Sequence, residues 1–194
     1  MIIGITGGTG CGKTTLLELI SQQGGLILDC DAIYHTLLQT DRALLCAIEA
    51  RFPGTVENGG LRRKKLGAIV FSDPAALADL NRITHSAVKA EVLRRLEAAP
   101  ALAAIDAIAL HESGLSELCD LTVAVTAPEE DRVRRLIARE GIPEDYARSR
   151  IAAQHDDAWF AQRCDHILVN DGALPQFREK CLAFLNGLGI MKSE

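Results

Sequence analysis

Residues Gly7–Thr14 read GGTGCGKT, the spacing G-x-x-x-x-G-K-[ST], with an apolar β-branched run (Ile2–Thr6) directly before and a helical apolar pattern directly after. A polyphosphate packs several negative charges into a small volume. Backbone N–H groups converge on it only where side chains stay out of the way, which is what glycine provides. A helix that begins at Lys13 aims its unpaired N–H groups and its positive dipole end at the same point. In that scheme Gly10, Cys11 and Gly12 contribute backbone, Lys13 bridges the β- and γ-phosphates, the Thr14 hydroxyl holds Mg²⁺ and Thr15 reaches the α-phosphate. The expected ligand is a nucleoside triphosphate with Mg²⁺. A glycine-rich turn carrying a chance lysine would lack the strand-loop-helix setting. The Cys11 thiol stands at a helix N-terminus, where it could be reactive, or it simply fills a tolerant position.

A second group is LILDCDAIYH. Asp29 and Asp31 lie two apart at the end of an apolar run, Leu26–Asp29. In open α/β sheets, ligands bind at the carboxyl ends of strands. One carboxylate there can accept the proton of an acceptor hydroxyl, and either can support the magnesium from outside its direct ligands. Asp31 could instead do no more than cap a helix starting at Ala32. A third group is basic: Arg132, Arg134, Arg135 and Arg139 crowd one predicted helix, and Arg135 and Arg139, four apart, share a face.

The elements that must position these groups follow from periodicity. Strands are expected at Ile2–Thr6, Leu26–Asp29, Leu102–Asp106, Leu121–Ala127 and His166–Asn170. Helices are expected at Lys13–Gln22, Ala32–Leu38, Asp41–Arg51, from Leu61 through LRRKKLGAIVF, from Pro74 to about Ala98, from Pro128 to Arg139, from Pro143 to about Gln154 and at Ala173–Leu185, with PGTVENGG as a loop. Ser72-Asp73-Pro74 supplies the cap and first turn of the long helix. The strands alternate with helices and lack polar alternation, so they predict a parallel sheet covered on both faces. The helical stretch between the second and third strands far exceeds one crossover and reads as an insertion; Gly141–Arg163 is a second candidate for a mobile piece.

The 194 residues suit one domain, and a net charge of −5 offers no basic surplus for nucleic acid. No apolar run approaches the ~20 residues of a membrane span. Six cysteines without C-x-x-C spacing, in a chain whose start reads as a strand and leaves no room for a targeting segment, lead us to expect a cytoplasmic protein. The sequence does not fix an oligomeric state; a monomer is favoured. A GTPase would carry a base-reading N-K-x-D, absent here, and a motor would need more chain, which leaves a small kinase. Other small-molecule kinases of this fold, such as shikimate or nucleotide kinases, and a non-catalytic ATP-binding relative are the alternatives.

Beyond the loop, blocks of the chain resemble the dephospho-CoA kinase family in that family's order. DCDAIYH is similar to its D-A-D-x-x-x-H/R. NGGLRRKKLGAIVFSDPAALADLNRITHSAV is similar to G-x-L-x-R-x-x-L-G-x-x-V-F … L-N-x-I-x-H-P. AIDAIALHESGLSELCD, RRLIAREG with RIAAQ, and CDHILVNDG resemble the third-strand block, the lid and the closing strand, so the resemblance covers about 1–187. It implies a P-loop NTPase fold, a three-layer α/β/α arrangement with a five-stranded parallel sheet, a helical substrate-binding insertion and a lid. As one domain, the core would take about 1–30, 101–140 and 164–190, the CoA-binding insertion about 32–98 and the lid about 135–163. The implied reaction moves the γ-phosphate of ATP to the 3′-hydroxyl of dephospho-CoA. By the same resemblance Lys13, Asp31, Arg135 and Arg139 are catalytic, Arg63 and His85 join Asp29 and Asp31 in binding the acceptor, Asn170 sits by the adenine, and Arg150 and Gln154 contact ATP from the lid. The sequence departs from the family pattern at Arg62, Ser86, Ile108, Ala109 and His111, all on the acceptor side.

Overall fold

The computed structural model describes residues 1–190. In chain order the elements are β1 (Ile2–Thr6), α1 (Lys13–Gln22), β2 (Leu26–Asp29), α2 (Cys30–Thr40), α3 (Arg42–Arg51), β3 (Val56–Glu57), β4 (Gly60–Leu61), α4 (Arg63–Val70) and α5 (Pro74–Leu96). They continue as β5 (Ala103–Asp106), β6 (Leu121–Thr126), α6 (Glu129–Glu140), α7 (Glu144–Ala152), α8 (Asp157–Ala161), β7 (His166–Val169) and α9 (Leu174–Gly187). The main sheet is parallel, in the order β2-β5-β1-β6-β7, so the strand that feeds the glycine loop is central. The strand order turns around β1, and in open parallel sheets that is where a ligand crevice opens.

The chain forms two compact units. Among the described residues the first comprises 1–27, 99–111 and 115–190, and the second comprises 28–98 with 112–114. In the first, Val123, Ala124 and Val125 are consecutively buried, as are Ile3, Gly4 and Ile5. Burial of successive residues means both faces are covered, which explains why these strands lack polar alternation. Leu16, Leu19 and Ile20 of α1 and Phe177, Cys181 and Leu185 of α9 complete that core. A smaller cluster of Val133, Leu136, Ala147 and Ile151 fastens α7 to α6.

The second unit has its own core of Leu38, Leu44, Leu45, Ile48, Phe52, Leu66 and Val70. Here the structure corrects the expected elements. Leu61 does not open a helix; it lies in β4, paired with Val56 of β3, and α4 starts only at Arg63. The turn is Asn58-Gly59, both at positive φ (52° and 75°), the two-residue arrangement that matches strand twist. Helix α2 begins at Cys30, not Ala32, because Asp29 rather than Asp31 is its cap: Asp29 Oδ1 accepts from the Ala32 N–H at 3.0 Å. The segment expected as one helix to about Gln154 ends at Ala152 and is followed by the short α8, and a 3₁₀ turn forms at Leu115–Leu118. Ser86, where the family pattern has proline, lets α5 run unbroken; its Oγ donates to the Arg82 carbonyl at 2.8 Å.

Candidate active site

The loop between β1 and α1 is shaped by its glycines. Gly7 has φ 127°, and a Cβ there would lie 2.1 Å from the Val125 carbonyl oxygen, so no side chain fits. Gly12, at φ 98°, caps α1 and would bring a Cβ within 2.4 Å of Asn170 Nδ2. Of the first N–H groups of α1, that of Thr15 donates to the Gly12 carbonyl at 3.2 Å, while those of Lys13 and Thr14 have no carbonyl ahead of them within the helix, and Gly12 offers them no side chain. They point out of the end of the helix as donors for an anion. Lys13 Nζ lies folded on the loop, donating to the Gly7 carbonyl at 3.0 Å. Thr14 is exposed and Thr15 half-buried.

Side chains from distant elements brace this loop. Asn170, 5% exposed, follows β7, and its Nδ2 donates to the Cys11 carbonyl at 2.9 Å. Arg135 Nη1 donates to the Gly10 carbonyl at 3.1 Å. Arg132 Nε donates to the Thr9 carbonyl at 3.0 Å. The Cys11 side chain is buried in the core, and burial pushes its thiol pKa up, against the Arg132 and Lys13 charges that pull it down; the loop uses its backbone.

The sequence-predicted residues therefore fall into distinct places. Gly10, Cys11, Gly12, Lys13, Thr14 and Thr15 form the loop, and Arg135 and Asn170 hold it by its carbonyls. Arg139 is not at the loop: it pairs with Glu140, which also binds Arg150. Gln154 bonds the loop itself, through the Thr9 N–H at 2.9 Å.

Two residues escaped the sequence reading. Arg132 was one among several clustered arginines, yet it is buried against the loop. Asp106 ends β5 in register with Ile5 of β1. That puts a carboxylate at the carboxyl end of the strand beside the loop strand, and its signal was legible: an apolar run, LAAI, ending in aspartate.

In the second unit, Asp29 is taken by its capping bond, while Asp31 sits exposed in the first turn of α2 and accepts no hydrogen bond among the described residues. Tyr34, one turn on, feels both Asp31 and Arg63; burial raises its pKa, Arg63 lowers it and Asp31 raises it. Arg63 is not a loose surface charge, since its Nη2 lies 3.4 Å from His35 Nδ1. Arg62 pairs with Glu57 at 3.5 Å. His85 lines a separate cavity of about 540 Å³ with Asn81, Arg82, Ser86, Lys89 and Glu112. Burial holds the His85 pKa below its usual 6.5, against a weaker upward pull from Glu112, so the ring is neutral at pH 7.

With this geometry in place, the comparisons are informative. A sequence model described as dephospho-CoA kinase matches residues 1–176. A dephospho-CoA kinase of Syntrophotalea carbinolica is 35% identical over 192 residues, covering 95% of this chain and 90% of its own. One of Corynebacterium efficiens is 38% identical over 182 residues, covering 91% of each. Among solved structures, a Thermus thermophilus protein superposes with a TM-score of 0.81 at 33% identity over 97% of each chain. A shikimate kinase of Bacteroides thetaiotaomicron reaches 0.59 at 18% over 97% of this chain and 98% of its own, a likeness of fold alone.

Proposed function

The chain belongs to the dephospho-CoA kinase family, and from that premise we propose how its residues divide the work. The family's reaction is ATP-dependent phosphorylation of the 3′-hydroxyl of dephospho-CoA, giving coenzyme A and ADP. The observation that carries the assignment is the match over residues 1–176, which takes in the second unit as well as the phosphate loop. A match limited to the loop would speak only for nucleotide binding.

Phosphoryl transfer passes through a loose transition state, so the protein's task is positioning and charge stabilisation. We assign the β- and γ-phosphates to the loop backbone and Lys13, whose ammonium leaves the Gly7 carbonyl for the phosphate oxygens. Arg135, already against the loop, and Arg139, released from Glu140, neutralise charge on the moving group. Asp31 accepts or orients the proton of the acceptor hydroxyl; that it accepts no hydrogen bond among the described residues supports that role over capping. Arg63 and the cavity around His85 bind the acceptor, with Arg82 and Lys89 supplying positive charge suited to its phosphates. The donors fit Mg²⁺, a hard cation that prefers oxygen: the exposed Thr14 hydroxyl and the Asp106 carboxylate would hold it, and Asp29 or Asp31 would support it. When bound, the ion screens phosphate charge. Asn170 acts on the nucleotide through the loop it braces.

In this reading residues 28–98 are the acceptor-binding insertion and 135–163 the lid, which excludes water so that ATP is not lost to hydrolysis. We take the enzyme to act as a cytoplasmic monomer. Among the described residues no helix is long and apolar enough to cross a membrane, and the cysteines are free thiols.

The test is ADP release with Mg·ATP and dephospho-CoA, shikimate or nucleoside monophosphates in separate reactions, with product masses recorded. Release with dephospho-CoA alone, and a product heavier by one phosphoryl group, is expected. Release with another acceptor would reassign the substrate. ATP binding without acceptor-dependent release would leave a non-catalytic relative.

A further inference from the structure

Thr9 is gripped on both sides of its peptide. Its N–H donates to Gln154 Oε1 at 2.9 Å, and its carbonyl accepts from Arg132 Nε at 3.0 Å. Arg132 Nη2 closes the ring by donating to the same Gln154 oxygen at 2.8 Å. Arg132 is 7% exposed, and no carboxylate among the described residues lies within ion-pair distance of it. A guanidinium that far from water needs its donors occupied. Here the loop carbonyl takes the Nε–H and the Gln154 amide oxygen takes a hydrogen of Nη2.

The fit is tight on the loop side as well. A Cβ on Gly8 would lie 2.2 Å from Arg132 Nη2 and 2.9 Å from Gln154 Oε1. Gln154 is itself anchored to the last turn of α7, its N–H donating to the Ile151 carbonyl at 3.1 Å. Ile151 in turn packs with Ala147 against Val133 and Leu136 of α6. The loop, the start of α6 and the end of α7 are therefore one bonded assembly, joined by residues more than a hundred positions from Thr9.

We propose that Gln154, seated by Arg132, is a positioning residue for nucleotide binding. It is a latch that ties the segment after α7 to the phosphate loop, so that polyphosphate in the loop and order in residues 144–161 reinforce each other. The Thr9 N–H is held by the latch, which leaves the N–H groups at the start of α1 to face the phosphates. Coupling of this kind is reciprocal: what the loop gains from the segment, the segment gains from the loop. The inference rests on the loop binding a nucleotide and not on the identity of the acceptor.

Hydrogen exchange on the full chain, with and without ADP, tests it, alongside calorimetric titration of ADP. In the unsubstituted protein ADP should slow exchange across residues 144–161. Gln154→Ala should speed exchange across residues 7–12 in the free protein, abolish the ADP-induced slowing at 144–161 and weaken ADP binding about fivefold, the worth of the Thr9 N–H bond that the loop loses. Gln154→Glu keeps an acceptor for both Thr9 and Arg132 and should restore protection of residues 7–12. Equal slowing of 144–161 by ADP in Gln154→Ala and the unsubstituted chain would overturn the latch. So would a folded Gln154→Glu that exchanges like Gln154→Ala. Failure of the acceptor assay would leave these readouts intact.

Discussion

The phosphate loop and the Asp31–Arg63 face of the second unit are built of opposite materials. The loop works through backbone, and side chains from α6, the end of α7 and the residue after β7 hold its carbonyls and N–H groups in place. The Asp31 face presents side chains standing on helices: Asp31 is exposed and accepts no hydrogen bond among the described residues, and Arg63 Nη2 lies 3.4 Å from His35 Nδ1. A backbone site must be rigid before the ligand arrives, because its donors cannot swing into place. A side-chain site can leave its reacting groups free, provided the helices beneath are packed, as the Leu38–Ile48–Phe52–Val70 core packs them here. The difference matches the roles proposed above, a fixed polyphosphate at the loop and a reacting hydroxyl at Asp31.

Substitutions can break or sharpen this contrast. The largest effect is expected for Lys13→Ala, which should lower kcat on the order of a thousandfold while the thermal midpoint stays put, because among the described residues its ammonium bonds the Gly7 carbonyl alone; steady-state kinetics and calorimetry check both. On the role proposed for it, Asp31→Asn should lower kcat by roughly a hundredfold with KM for ATP within about twofold, since among the described residues its carboxylate accepts no hydrogen bond that the fold would lose. An unchanged kcat would remove Asp31 from the chemistry.

Asn170→Ala should behave in the reverse manner, raising KM for ATP roughly tenfold with kcat nearly kept, since the buried Cys11 carbonyl loses its nearer donor and keeps the 3.5 Å one from Arg135 Nη1. A kcat effect larger than the KM effect would show that Asn170 does more than brace the loop. The smallest effect concerns His85. Its folded pKa lies below the unfolded 6.5, so below that pH the unfolded chain binds the extra proton first and stability falls as pH drops, levelling off below the folded pKa. Titration of the ring by NMR should give a midpoint under 6.5, and His85→Gln should flatten that part of the stability curve. A midpoint above 6.5 would put a negative partner beside the ring.

Legibility in the sequence followed the same divide. The loop was readable because its function is contiguous: eight residues, Gly7–Thr14, carry the spacing, and the flanking runs reveal strand and helix. The five strands were readable because covered parallel strands are simply apolar. The hairpin was missed although Asn58-Gly59 is a strong turn signal, because strands of two residues carry no periodicity. Asp29 and Asp31 could not be told apart as caps from composition, since either can accept an N–H; where the helix begins decides it, and it begins at Cys30.

The sequence by itself determined the nucleotide loop, the parallel sheet and the family, because local patterns and ordered blocks survive without coordinates. Only the tertiary structure decided which of several arginines is buried, that Gln154 bonds the loop, that Arg139 rests on Glu140 and that Asp106 stands beside the loop strand. The reason is physical: these roles depend on burial and on partners across the fold, and one guanidinium looks like another until the surrounding structure takes water from it.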